Sequence, residues 1–382
     1  MKCVSEMIYL DNNATTMPLP KVVEAMAANL RDGYANPSSV HQFGQSVRHS
    51  IECAREQVAL LIGAKPREIV FTSGGTESIN LAIRGALALQ PERRRIVTTS
   101  VEHSAVLRLV ENLEGEGYTV ERVGVDSQGR IDESHWSKAL TDDTALATMI
   151  HANNETGVVF DVARLSDVAV KCGAVVHVDA VQSVGKIPID VSKAAAQLVS
   201  LSAHKFHGPK GIGALYVRRR TRITPLIVGG NQESLLRGGT EHVAGIVGMG
   251  VAAEAARCDE VCVDIGRLRD AFEEGVLAAV PFAHVNGCDA QRICNTSNIG
   301  FEGLSAEAIL ILLSEAGICA SAGAACSSGS LEPSHVLTAM GIDERIAHGA
   351  IRFSLSRFTT RQEIERVVET LPKLLARLTV LS

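Results

Sequence analysis

Glu68-Ile-Val-Phe-Thr-Ser-Gly-Gly-Thr76 decides the fold class. The run Ile69 to Thr72 is β-branched and aromatic and reads as a buried strand. Ser73-Gly74-Gly75 is a turn, and Thr76 to Leu89 carries apolar residues at helical spacing. Outward from this strand, turn and helix the same alternation recurs. Arg95–Thr99, Ala145–Ile150, Ala174–Asp179 and Gln197–Ser202 are further strand candidates, with helical patterns between the earlier ones. Ile212–Val217 follows closely enough to pair antiparallel. This pattern argues for an α/β fold with a mostly parallel sheet covered by helices. Sites in such sheets gather at the carboxyl ends of the strands.

After about Ala256 the pattern changes. Val263 to Val280 places Ile265, Leu268, Phe272, Val276 and Val280 on a helical stripe. Thr296–Phe301 and Ala350–Ser354 are strand candidates. Thr360 with Glu363 is a capping-box signature for a last helix with Ile364, Val367, Val368, Leu371 and Leu375 on one face, and Pro372 predicts a kink in it. The expected organisation is a large domain over residues 15–256 and a smaller α+β domain from 1–14 and 257–382.

The 382 residues, 46% of them hydrophobic, suffice for such a core, and a net charge of -6 speaks against a nucleic-acid or anionic-membrane surface. Nine cysteines, an odd count with no CxxC pair, argue against a disulfide framework and for a reducing cytoplasm. Met1 to Leu10 lacks the apolar run of a signal peptide. One cysteine stands apart. Ser321-Ala-Gly-Ala-Ala-Cys326-Ser-Ser-Gly-Ser330 surrounds its thiol with small residues only, which suits a nucleophile that travels, or an incidental surface loop.

Several strand ends carry polar residues with chemistry. Asp179 could cap a helix or pair with a cationic ring nitrogen. Lys205 in Ser202-Ala-His204-Lys205 reads alone as a rim lysine or, if buried, as an amine nucleophile. Together the two suit a pyridoxal phosphate site, the lysine carrying the Schiff base and the aspartate holding the pyridine nitrogen protonated. Ser73-Gly74-Gly75-Thr76, at a helix N-terminus, offers backbone N–H groups to a phosphate. His103 could stack on a ring or belong to a surface loop. Asn154 could bond a cofactor oxygen or merely form its turn. Arg352, within an apolar strand, either binds an anion or points from an edge strand to solvent.

These residues sit in motifs that resemble the cysteine desulfurases of the NifS/IscS group, class-V pyridoxal-phosphate-dependent aminotransferases of fold type I. The matching runs include Tyr9-Leu-Asp-Asn-Asn-Ala-Thr-Thr16, Asn36-Pro-Ser-Ser-Val-His41, Phe71-Thr-Ser-Gly-Gly-Thr-Glu-Ser78, Val101-Glu-His103, Ala152-Asn-Asn-Glu-Thr-Gly157, His177-Val-Asp-Ala-Val-Gln182, Ser202-Ala-His-Lys205, Cys326-Ser-Ser-Gly-Ser-Leu-Glu-Pro-Ser-His335 and Ile351-Arg-Phe-Ser-Leu355. Asn231 and His242 depart from the family's pattern. The resemblance implies an aspartate-aminotransferase-like large domain with a mostly parallel seven-stranded sheet. It implies Lys205 as the Schiff-base lysine, Asp179 at the pyridine nitrogen, Gln182 and Asn154 at the ring oxygen, and His103 stacked on the ring as acid–base residue. Gly75, Thr76, Ser202 and His204 are the implied phosphate ligands. Thr240 completes the phosphate site of the other subunit in a homodimer. Arg352 and Asn154 bind the substrate, and Cys326 forms the persulfide.

The implied activity removes sulfur from L-cysteine to give L-alanine and a Cys326 persulfide. The sulfur then passes to an iron–sulfur scaffold protein. The run after Cys326 and Ala347-His-Gly349 look like the nitrogen-fixation (NifS) type. No resident metal is expected, although Cys326 is a candidate transient ligand for a nascent iron–sulfur cluster. The alternatives are a selenocysteine lyase or another fold type I enzyme, and a non-enzymatic sulfur-relay protein.

Overall fold

The computed structural model describes residues 7–257, 259–323 and 333–379. Strand β1 (Ile8–Tyr9) comes first. A seven-stranded sheet follows from β2 (Ile69–Thr72), β3 (Arg95–Thr99), β4 (Thr119–Val123), β5 (Thr144–Ile150), β6 (Val175–Asp179), β7 (Leu198–Ser202) and β8 (Gly213–Val217). Its order is β2-β8-β7-β6-β5-β3-β4. Only β8 runs against the rest: it pairs antiparallel with β2 and with β7, while the other pairs are parallel. The central strands are buried along their whole length, which is why they read as unbroken apolar runs. β4 is the strand that sequence reading missed. It lies at the edge and is half-exposed, and its Thr-Val-Glu-Arg-Val sequence carries two charges.

Helices cover both faces. Gly75–Leu87 leaves the turn after β2 and packs on the sheet. Val243–Ala255 is apolar all round because it is enclosed on several sides. Gly250 lets it approach the helix Gln42–Leu61 closely, since a Cβ there would stand 2.6 Å from the Ala54 Cα.

The second sheet has the order β12-β13-β10-β9, from β9 (Ala283–Val285), β10 (Thr296–Phe301), β12 (Ser321–Ala322) and β13 (Ala350–Ser354). Strand β1 pairs in parallel with β11 (Ile318–Cys319). Ile8 and Leu10 accordingly share one apolar core with Phe272, Val276, Phe353, Val367 and Leu371. The Thr360 capping box forms as expected: Thr360 N donates to Glu363 Oε2 at 2.7 Å and Glu363 N to Thr360 Oγ1 at 3.2 Å. The helix runs from Arg361 to Thr379 through Pro372, where a kink is expected. Its stripe of Ile364, Val367, Leu371 and Leu375 is buried on both sides of Pro372, so packing holds the helix where local chemistry would interrupt it.

Candidate active site

The carboxyl ends of five strands converge. β2 delivers Ser73–Thr76, β3 delivers His103, β5 delivers Asn154, β6 ends on Asp179 with Gln182 just beyond, and β7 ends on Ser202 before the short turn Ala203–Lys205. β6 and β7 are neighbours, so Asp179 and Lys205 leave adjacent strands at the same edge. This is the placement expected of a site in an open α/β sheet.

Asp179 is buried, and its Oδ1 accepts from Val181 N at 3.0 Å. Burial pushes its carboxyl up, while His103 and Lys205 pull the other way. A cationic ring nitrogen is the partner that would let such a carboxyl ionise. His103 caps the helix Ser104–Gly115, with Nδ1 accepting from Ala105 N at 3.1 Å. In the neutral ring Nε2 then carries the proton. Burial holds His103 below the ordinary histidine range, opposed by Asp179. The preceding residue, Glu102, lies under the site. Its Oε1 accepts from Thr99 Oγ1 at 2.6 Å and from Ile150 N at 2.8 Å. Its buried Oε2 has no hydrogen-bond partner.

Lys205 Nζ donates to the carbonyls of Asn13 at 2.5 Å and Ala14 at 2.9 Å. Asn13 is the residue that sequence reading passed over. Its carbonyl also accepts from Gln182 Nε2 at 2.8 Å, and its Nδ2 donates to Asn154 O at 3.1 Å and to Thr296 Oγ1 at 2.8 Å. The available signal was a polar run, Asp11-Asn12-Asn13, immediately after an apolar strand. Such a run is costly to bury unless every group is bonded.

Arg352 is 2% exposed, and β13 is an interior strand, so the edge-strand reading does not hold. Its Nη1 donates to Asn154 O at 3.0 Å and its Nη2 to Asp11 Oδ1 at 3.0 Å. Nε is buried without a partner. An orphaned donor beside a half-engaged guanidinium fits an incoming carboxylate.

The phosphate side is equally suited to its ligand. The 13-residue helix Gly75–Leu87 starts at Gly74 with no side-chain cap, so its leading N–H groups are available to an anion. Gly75 touches the rest of the site: a Cβ there would lie 2.8 Å from Val181 Cγ2 and 3.7 Å from the Ser202 Cβ. Any larger residue would fill the space between the turn and β7. Thr76 is exposed. His204 Nδ1 lies 3.2 Å from Thr15 Oγ1, and burial, then Lys205, lowers its pKa to about 4, so it is a neutral hydrogen-bonding group. These residues fit pyridoxal phosphate: a buried carboxyl for the ring nitrogen, an amine at the facing strand end, and an uncapped helix start for the phosphate.

Two expected site residues stand apart. Thr240 is exposed, and its neighbours Gly239 and Glu241 line a small cavity with Thr72 and Ser73 of the same chain. Cys326 lies outside the described residues. The described residues Gly323 and Ser334 on either side of it both meet Glu155. Ser334 Oγ donates to Glu155 Oε2 at 2.5 Å, and a Cβ on Gly323 would meet the same oxygen. His335 Nε2 lies 3.0 Å from the Glu102 carbonyl. Among the described residues no group of three or more His, Cys, Asp or Glu could hold a metal ion.

The profile of the family described as aminotransferase class-V matches residues 8–367. A cysteine desulfurase of Nostoc sp. is 52% identical over 377 residues, covering 98% of this chain and 94% of that protein. The cysteine desulfurase NifS of Azotobacter vinelandii is 49% identical over 374 residues, covering 97% of this chain and 93% of its own length. A solved NifS-like protein superimposes with a TM-score of 0.91 at 38% identity, over 97% of this chain and 100% of that one.

Proposed function

This chain belongs to the aminotransferase class-V family, and from that premise we propose that it is a pyridoxal-phosphate-dependent cysteine desulfurase. When bound, pyridoxal phosphate supplies an electron sink for charge that develops at the substrate Cα. The protein's own groups do the rest. Lys205 would hold the cofactor through its side-chain amine and, when that amine is free, would take the substrate's Cα proton. The carbonyls of Asn13 and Ala14, now hydrogen-bonded to Lys205 Nζ, are a resting place for that amine. Asp179 keeps the ring nitrogen protonated. His103, neutral and proton-bearing at Nε2, stacks on the ring and serves as acid–base residue. Gln182 and Asn154 meet the ring oxygen, and Gly75, Thr76, Ser202 and His204 meet the phosphate.

Arg352 takes the substrate carboxylate, with Asn154 beside it, and so fixes the orientation of L-cysteine. The Cys326 thiolate then attacks the substrate sulfur. A sulfur–sulfur bond forms, the carbon–sulfur bond breaks with its electron pair on Cβ, and protonation at Cβ followed by return of a proton to Cα leaves L-alanine. The product on the protein is a persulfide, which a thiol acceptor can remove. The observation that carries this reading is the convergence of Lys205, Asp179 and His103 at the carboxyl end of the large sheet with buried Arg352 of β13, which reaches Asn154 there.

The finer reading extends to a cytoplasmic homodimer in which Thr240 of each chain reaches the other's phosphate site. Its support is the exposure of Thr240 together with exposed apolar side chains at Tyr34, Val40 and Val228. The sulfur acceptor is an iron–sulfur scaffold protein, and the nitrogen-fixation role follows the likeness to the Azotobacter NifS. No described helix is long and apolar enough to cross a membrane.

An absorbance spectrum before and after borohydride, with peptide mapping, tests the reading. The expected result is a reducible coloured species and a pyridoxyl adduct on Lys205. Cys326→Ser should keep the colour and lose sulfur release. A colourless protein that stays so with added cofactor, or a Cys326→Ser variant with full turnover, refutes it.

A further inference from the structure

Lys186, close to half-buried Lys205, is a buried lysine, 9% exposed, on the turn that follows Gln182. Its Nζ donates to Gln182 O at 3.0 Å and to Gln182 Oε1 at 2.9 Å. Lys205, Arg352, His204, His207 and the thiols of Cys262 and Cys294 are the titratable groups that act on it, and no carboxylate does among the described residues. Burying an amine without a carboxylate is costly, and burial, then Lys205, lowers its pKa to about 7. A solvent-facing lysine would avoid that cost, so the buried position calls for a reason.

The reason lies in the amide it touches. Oxygen and nitrogen of a carboxamide are hard to tell apart by shape, and their sense is fixed by partners. Here both partners agree. The backbone carbonyl of Gln182 takes one Lys186 proton, and the ammonium form, which has no lone pair, can only donate to the carboxamide as well. Gln182 Oε1 must therefore face Lys186. On the other side, Gln182 Nε2 donates to the Asn13 carbonyl at 2.8 Å, and a carbonyl can only accept. The second Nε2 proton is then left for a ligand.

Resting on the proposed pyridoxal phosphate site, we propose that Lys186 is a positioning residue. It locks the Gln182 carboxamide so that an N–H, not a carbonyl oxygen, meets the negatively charged ring oxygen of the cofactor. Without the lock only the Asn13 carbonyl, already shared with Lys205 Nζ, sets the sense of the amide. The cavity of about 30 Å³ that Lys186 shares with Lys205, Cys262, Cys294 and Asn295 has room for about one water molecule, which could not impose the same sense.

The test reads the pH midpoint of the bound cofactor's visible absorbance in the holoenzyme. An N–H given to the ring oxygen stabilises it most when the neighbouring Lys205 proton is gone. Losing that donor therefore raises the midpoint. Lys186→Met should raise it by about one pH unit, a tenfold change, as expected for a hydrogen bond to a charged group. Lys186→Arg, which keeps the donors, should stay near the parent value. In a Gln182→Leu background Lys186→Met should produce no further shift. An unchanged midpoint in Lys186→Met, or an equal shift in the Gln182→Leu background, overturns the positioning role. If Lys186→Met does not fold, a shifted midpoint in Lys186→Arg overturns it and an unshifted one supports it. A parent protein with no cofactor band would instead refute the pyridoxal phosphate reading, and this inference with it.

Discussion

Replacing Glu102 with glutamine should make the protein's stability less dependent on pH. Glu102 is fully buried, and burial pushes its carboxyl up to about 8, with the charge of Asp179 adding to the rise. In the unfolded chain the group titrates near 4.3. Between these values the folded state keeps a proton that the unfolded state has lost. Stability therefore falls as pH rises through this window, by about 1.4 kcal/mol per unit. The accumulated loss at pH 7 is roughly 3–4 kcal/mol, and above pH 8 it no longer grows. In Glu102→Gln the amide oxygen can keep the bonds from Thr99 Oγ1 and Ile150 N. Its NH2 takes the place of Oε2, which has no partner, at a cost of about 1–3 kcal/mol. The parent should be the more stable form near pH 5 and the variant near pH 8. Urea unfolding of both cofactor-free proteins, at one protein concentration from pH 5 to 8.5, checks this. Stability curves that stay parallel over the range would show that Glu102 does not hold its proton, and the argument would fail.

Arg352→Leu should raise KM for L-cysteine by about 10²–10³-fold, the worth of a buried charge-assisted contact, while cofactor binding persists. Steady-state alanine formation measures it, and a KM within threefold of the parent contradicts the assigned role. Pro372→Ala should raise the unfolding midpoint, adding about 1–3 kcal/mol, because the helix already continues through that position. Thermal unfolding followed by circular dichroism reads the change, and a lowered midpoint refutes it.

The parts legible in the sequence are those whose signal is local. β2, β3 and β5 to β7 announce themselves because each is buried along nearly all its length, β2 included although it forms the other edge of the sheet. Their carboxyl ends then place His103, Asn154, Asp179 and Lys205 in the turns after the strands, and the family resemblance supplies their expected roles. β4 escaped because an edge strand needs no unbroken apolar run. Arg352 stayed open between two readings, since only the pairing of β13 with both β10 and β12 buries it. Asn13, Asp11 and Lys186 were illegible for another reason. Asn13 meets Thr296 across 283 positions and Asp11 meets Arg352 across 341, so no window of sequence contains both partners. Lys186 is only four positions from Gln182, yet its meaning depends on Asn13, 169 positions away from that glutamine.

The pairing of β1 with β11, and of Asn13 N with Ser354 Oγ across 341 positions, has a consequence for biosynthesis. Ile8 to Asn13 leave the ribosome long before their partners exist. At a usual pace of about 5–20 residues per second they wait tens of seconds. Until Ser354 emerges, the carbonyls beside Lys205 have no fixed place, although the large sheet is already synthesised. The nascent chain thus carries its reactive amine while the pocket around it is unfinished. Holo-enzyme formation therefore waits for the synthesis of β11 and Ser354.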